Sequence, residues 1–287
     1  MMAMATMTTT RKATATAMAT EMRSVTEMWS ATAMENYLRS ILSVRMVDPE
    51  KSSGFLGFID FDFWKLILLQ GCDASVLLDS KGDNVAEKEA SLNLSPRGFE
   101  VIDEIKMELE KQCRGVVSCA DILALATRDG VALSGGSSYH IPTGGRDGMI
   151  STIGEVQIPG PSFSVDAALS ALQTINLDLD DLTTLLGAHN IGFCHCGFFV
   201  NRLYNFEGTG LPDPDLDPGL LDSLQKKCPI PINQIFNISI DPTVFMTPMT
   251  KTPFTLDSSF YCGCLTGKRF FSWIKNLPSL MLLVHWH

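Results

Sequence analysis

The chain has 287 residues, 45% of them hydrophobic and 19% charged, with a formal net charge of −10. That acidity argues against nucleic acid or an anionic membrane as partner, because both select a basic face. No charge-free apolar run of about 18 residues, the length of a membrane span, is present. The nearest, 55–69, is interrupted by Asp60, Asp62 and Lys65.

In chain order, residues 1–34 form a tract of Ala, Thr and Met with scattered charges and no continuous apolar core of signal-peptide length. Such a tract cannot bury enough surface to fold, so a disordered tail over 1–54 is expected. A transit-peptide reading is weakened by Glu21, Glu27 and Glu35. Helical text begins at Ser95, an N-cap residue followed by Pro96 in the first turn. Ile102, Ile105, Leu109 and Cys113 then recur at spacings of three and four and line one face. Residues 119–129 are apolar nearly all round, the mark of a buried helix, and Ser134-Gly135-Gly136 ends it. A polar, Gly-rich stretch follows over 141–154, with a loop closing at Ile158-Pro159-Gly160-Pro161. Two more helices are expected over 165–175 and 178–191; Asp178, Asp180 and Asp181 favour the positive end of the second. Residues 217–228 form a short helix, strand-like alternation is scarce, and the class is mainly α with no internal repeat.

Eight cysteines, at 72, 113, 119, 194, 196, 228, 262 and 264, lean towards an oxidising compartment. The sequon Asn237-Ile238-Ser239 agrees with secretion, whereas Asn93-Leu94-Ser95 is weakened by the Pro96 that follows.

The most informative helix carries Leu182, Leu185, Leu186 and His189 at i, i+3, i+4 and i+7, which places an imidazole on the apolar stripe. A lone histidine there is more often a core residue with one hydrogen bond than a ligand. Small Gly187 and Ala188 beside it leave room for a flat cofactor.

The surrounding text changes that balance. The run D-L-T-T-L-L-G-A-H-N-I-G over 181–192, followed by N-R-L-Y-N-F over 201–206, resembles the proximal haem motif of the class III (secretory plant) peroxidases. That family reads D-L-x-x-L-x-G-A-H-T-I-G and then R-L-Y-N-F. Q-G-C-D-A-S-V-L-L-D over 70–79 resembles the end of its distal segment. R-G-F-E-V-I-D over 97–103 with V-S-C-A-D-I-L over 117–123 resembles its central helix pair. The likeness covers roughly residues 70–262.

The resemblance implies a two-lobed, all-α fold holding one b-type haem between the lobes, with up to two calcium ions. The chain then divides into the tail, a remnant distal lobe with the central helices over 55–163, a proximal haem-binding lobe over 164–265 and a divergent tail over 266–287. Implied activity is oxidation of small phenolic donors by hydrogen peroxide, in a secreted, extracellular or vacuolar monomer. His189 matches the axial iron ligand, Pro159 a substrate contact and Asn93 an asparagine that orients the distal histidine. Gly71, Asp73, Ser75 and Glu87 match a first calcium site, with a carbonyl from Leu69. Thr252, Thr255 and Asp257 match a second, where Asn190 replaces the usual Thr. Hard oxygen donors of this kind suit Ca²⁺. Cys196 and Cys228 match the family's proximal disulfide.

Departures are as informative. Where the family reads R-x-x-x-H-D-C, this chain places Phe61 at the arginine, Lys65 at the histidine, Leu66 at the aspartate and Ile67 at the cysteine. The base and the guanidinium that act on peroxide are thus absent. Met249 stands where the second calcium site has a carboxylate, and Ile274 where a carboxylate backs the proximal histidine. Cys72, Cys113 and Cys119 lack their family partners. Gly145 replaces the first arginine of G-R-R-D, which is expected to strand Asp121 at a cost of several kcal/mol. Two alternatives stand beside an impaired peroxidase. One is a non-catalytic haem-binding remnant or mispredicted gene product. The other is a zinc module on Cys194-His195-Cys196 and Cys262-Gly263-Cys264, whose C-x-C spacing is unlike structural zinc sites.

Overall fold

The computed structural model describes residues 72–94, 98–156, 159–160, 163–230, 240–247, 250, 252–266 and 268. The expected tail over 1–54, all of the one over 266–287 except Thr266 and Lys268, and Phe61, Lys65, Leu66, Ile67, Gly71, Ser95, Pro96, Asn237, Met249 and Ile274 lie outside them. Within them the chain is mainly helical. Helix α1 spans Phe99–Gln112 and α2 Cys119–Leu133. Then come α3, Val165–Gln173, and α4, Leu179–Gly187. Shorter α5 covers Val200–Tyr204, α6 Pro218–Lys227 and α7 Ser259–Leu265. Two three-residue strands, β1 (Phe193–His195) and β2 (Thr243–Phe245), pair antiparallel with Cys194 opposite Val244.

Helix starts follow side-chain capping, which satisfies amide donors that have no partner within the helix. Ser118 accepts from the Asp121 N–H at α2, and Ser164 from the Ala167 N–H at α3. At α4 the cap is reciprocal: Asp178 accepts from Asp180 and Asp181, while its own N–H donates to the Asp181 carboxylate at 2.9 Å. Asp217 caps α6, with Pro218 in the first position. Helix α1 begins at Phe99, behind Gly98 at φ 101°, rather than near Ser95. Helix α2 runs to Leu133, four residues past the expected end, and Ser134 closes it.

The buried side chains form two clusters. One joins Ala74 to the inner face of α1 (Ile102, Ile105, Leu109) and to Ile122, Leu123 and Leu125 of α2. The other joins α3 and α4 to Phe199, Leu203, Leu220, Leu224 and Phe260. Full burial of a leucine-sized side chain contributes about 1.5–3 kcal/mol, so the stripe Leu182, Leu185, Leu186 fixes how α4 rotates in this second cluster. Between the clusters, the Leu256 N–H donates to the Ser134 carbonyl at 2.8 Å.

The disulfide Cys196–Cys228 is present with a Cα–Cα separation of 5.5 Å, inside the range a bridge spans. It ties the turn after β1 to the end of α6.

Candidate active site

The helix expected over 178–191 stops earlier. Helix α4 ends at Gly187, and His189 sits in a 3-10 turn, Ala188–Asn190. Asn190 is drawn away from the helix: its main-chain oxygen accepts from the Thr247 hydroxyl at 2.8 Å. Gly192, at φ 101°, then turns the chain into β1.

The His189 ring is partly buried and stacks on Phe260, with centroids 6.1 Å apart and planes 29° from parallel. Its Nδ1 lies 3.3 Å from the Leu186 carbonyl oxygen. A carbonyl only accepts, so Nδ1 carries the hydrogen and Nε2 presents its lone pair. Burial lowers the imidazole pKa to about 4, against a smaller upward effect of the Leu186 carbonyl. The side chain is therefore neutral at pH 7, in the tautomer that ligates a metal through Nε2.

The room left by Gly187 has another use than the one expected. The Tyr261 hydroxyl occupies the place a β-carbon at 187 would need. It donates to the Thr183 carbonyl at 3.0 Å, and burial, with nearby Cys264 adding, raises its pKa to about 12. Glycine at 187 thus admits a tyrosine, and both residues also line a cleft. Phe260 and Tyr261 went unnoticed in the sequence, although they follow Asp257 at helical spacing. A cleft of ≈ 410 Å³ opens beside Ala188, Ile191, Tyr139 and Leu256; His189 does not line it.

Asn93 is buried, and its Nδ2 donates to the Glu87 carbonyl oxygen. Burial removes it as a glycan acceptor. Its Oδ1 has no hydrogen-bond partner among the described residues, a condition that costs roughly 1–3 kcal/mol. An orphaned buried acceptor fits a donor from a facing imidazole, the support role the resemblance assigns to it. Lys65 and Phe61, which match the family's distal histidine and arginine positions in sequence, lie outside the described residues. Pro159 is partly buried in its loop.

Of the first calcium set, Asp73, Ser75 and Glu87 come together. The Ser75 N–H donates to Asp73 Oδ1 at 3.0 Å, and the Ser75 hydroxyl reaches both Glu87 carboxylate oxygens at 3.2 Å. Two carboxylates and a hydroxyl are a hard-donor set that fits Ca²⁺. Of the second, Asn190, Thr252, Thr255 and Asp257 also converge, but through hydrogen bonds among themselves. Burial pushes the Asp257 pKa up, yet hydrogen bonds from Ser259, Thr252 and Asn190 outweigh it and hold the carboxyl below its ordinary value.

Asp121 is not stranded. Its carboxylate accepts from the Gly144 N–H at 2.9 Å and the Gly145 N–H at 2.9 Å, while Asp147 accepts from the Ala120 N–H. Main-chain donors of the glycine turn replace the missing guanidinium. For a zinc module the residues fail: Cys196 is in the disulfide, and among the described residues no group of three or more His, Cys, Asp or Glu could hold a metal.

A mainly helical chain with a neutral imidazole held just past a helix end, and with a separate hard-oxygen cluster at Asp73, Ser75 and Glu87, is the class these observations define. The family model for peroxidases matches residues 30–276, and the chain belongs to the peroxidase family. That match is wider than the blocks at 70–262. The chain is 50% identical over 165 residues to peroxidase 28 of Arabidopsis thaliana, covering 57% of this chain and 51% of that one. It is 48% identical over 193 residues to peroxidase 60 of the same plant, covering 67% and 56%. With peroxidase 5 of Vitis vinifera it shares 44% identity over 208 residues, covering 71% and 61%. The chain therefore spans about half the length of the first of these relatives. Membership generally implies haem, and an imidazole that is neutral at pH 7 has the chemistry of an iron ligand.

Proposed function

We propose that this chain is a haem-binding peroxidase by descent, with His189 as the axial ligand and the distal acid–base pair lost. The observation that carries the reading is the His189 imidazole, neutral and held through Nδ1 by the Leu186 carbonyl. Bound haem supplies the redox chemistry by which hydrogen peroxide is reduced and a phenolic donor oxidised. The chain's own part would be to offer the His189 imidazole as the iron ligand, with its ring stacked on Phe260 and its Nδ1 held by the Leu186 carbonyl.

Peroxide chemistry also needs a base to move a proton between its oxygens and a cation to stabilise the departing one. A positioned base contributes about 10²–10⁴ in rate, and charge stabilisation a comparable factor. Lys65, protonated at neutral pH unless strongly desolvated, cannot serve as that base. Phe61 brings no charge. Turnover is thus lowered by about 10⁴ or more, the two losses acting as a unit rather than adding strictly. Asn93 keeps a buried oxygen, without a partner among the described residues, for the position where the family's distal histidine is matched by Lys65. Asp73, Ser75 and Glu87 hold one calcium ion. Pro159 borders the donor's approach. The cysteine count and the relatives support an extracellular or vacuolar setting.

Guaiacol turnover by the haem-loaded full chain tests the reading. The unaltered protein gives a Soret band and turnover near the free-haem background. Phe61→Arg with Lys65→His recovers part of the rate. Turnover at the level of an intact relative in the unaltered chain would overturn it; a Soret band with no recovery would favour the non-catalytic remnant.

A further inference from the structure

The turn that carries His189 is tied to the stretch 247–260 by a hydrogen-bonded clasp centred on Asn190, which is 1% exposed. Its Oδ1 accepts from the Phe260 N–H at 2.8 Å, and its Nδ2 donates to the Thr255 carbonyl at 2.7 Å. Its main-chain oxygen accepts from the Thr247 hydroxyl at 2.8 Å. Beside it, Asp257 accepts from the Thr252 hydroxyl at 2.7 Å through one oxygen and from the Ser259 N–H at 2.7 Å through the other.

Asn190, Thr252, Thr255 and Asp257 are the residues assigned by resemblance to a second calcium ion, and their chemistry here does not fit one. Calcium is held by six to eight oxygens whose lone pairs converge on it. The orientation of the Asn190 amide is dictated by its partners: the Phe260 N–H only donates, so it must face Oδ1, and the Thr255 carbonyl only accepts, so it must face the NH₂. Turning the amide over would set donor against donor and oxygen against oxygen. A hydrogen-bond donor therefore points at the carbonyl a cation would need, and among these four residues Asp257 is the sole carboxylate.

We propose that the Asn190 carboxamide replaces the cation, so that a calcium-free hydrogen-bonded clasp fixes the turn bearing His189. Phe260 joins the two roles, since its N–H engages Asn190 while its ring stacks on His189. The inference stands whether or not His189 ligates iron, and its test reads metal binding and stability without haem.

The thermal midpoint of the full chain is measured in calcium and in a calcium chelator, for the unaltered protein and for Asp257→Asn. The expected result is the same calcium-dependent gain in both, because any calcium binds at Asp73 and Glu87. A smaller gain in Asp257→Asn would overturn the proposal. Asn190→Ala leaves the Phe260 N–H and Thr255 carbonyl unpaired and lowers the midpoint by about 5–10 °C, equally with and without calcium. No loss, or a loss confined to calcium-loaded protein, would overturn it. Equilibrium dialysis of the unaltered chain, which needs no variant to fold, is expected to find at most one calcium per chain; two would overturn it.

Discussion

The Tyr261 hydroxyl stands where a β-carbon on Gly187 would have to go, and it donates from there to the Thr183 carbonyl. Gly187→Ala must therefore displace a rigid, half-buried ring. A loss of about 1–3 kcal/mol is expected, as for overpacking elsewhere, measured by urea denaturation. Adding Tyr261→Phe should relieve part of it. A neutral Gly187→Ala would show that the ring is not held there.

Stability should depend on pH through His189. Its folded pKa, about 4, lies below the unfolded value of 6.5. The unfolded chain then binds the proton more tightly, so the contribution is fully present above pH 6.5 and is lost as pH falls towards 4. The ring is partly exposed, which discounts the effect to about 1–3 kcal/mol. His189→Phe should flatten that part of the profile. An equal slope in both proteins would assign it to other groups.

Arg202 and Asp213 form a buried ion pair, with Nε and a terminal nitrogen 2.8 Å and 2.6 Å from one carboxylate oxygen. Arg202→Ala leaves Asp213 charged and buried, at about 3–5 kcal/mol. Arg202→Ala with Asp213→Leu should be less costly than Arg202→Ala alone. Measured additivity would contradict a direct pairing.

The disulfide closes a loop of 32 residues, and removing it as Cys196→Ala with Cys228→Ala should cost roughly 3 kcal/mol. Thiol reagents on the native protein should label exposed Cys72 and Cys262 and spare buried Cys113 and Cys194. Burial also pushes the Cys194 thiol well above its ordinary pKa. Rapid labelling of Cys194 would contradict its place in the core.

Helices were legible wherever periodicity and capping agreed. The apolar face of α1 and the buried α2 follow from spacing and the start of α4 from its acidic residues at 178, 180 and 181, whereas the Ser95 cap expected for α1 does not begin that helix. The end of α4 did not, because it is set by a contact 57 residues away, from Thr247 to the Asn190 carbonyl. The same limit governed single residues. Gly187 gave a correct signal of close approach, but the approaching group comes from 261. The loss of arginine at 145 suggested an orphaned Asp121, whereas main-chain N–H groups, which sequence does not display, take its place. His189 was found through its motif; its tautomer needed the Leu186 carbonyl in three dimensions.

The central claim is that His189 holds haem. Titration of the metal-free chain with haemin, followed at the Soret band, tests it most directly. The unaltered protein should saturate at one haem per chain with the spectrum of a histidine-ligated iron. His189→Ala should lose that spectrum, and added imidazole should restore it. Identical titrations for the two proteins would contradict the account.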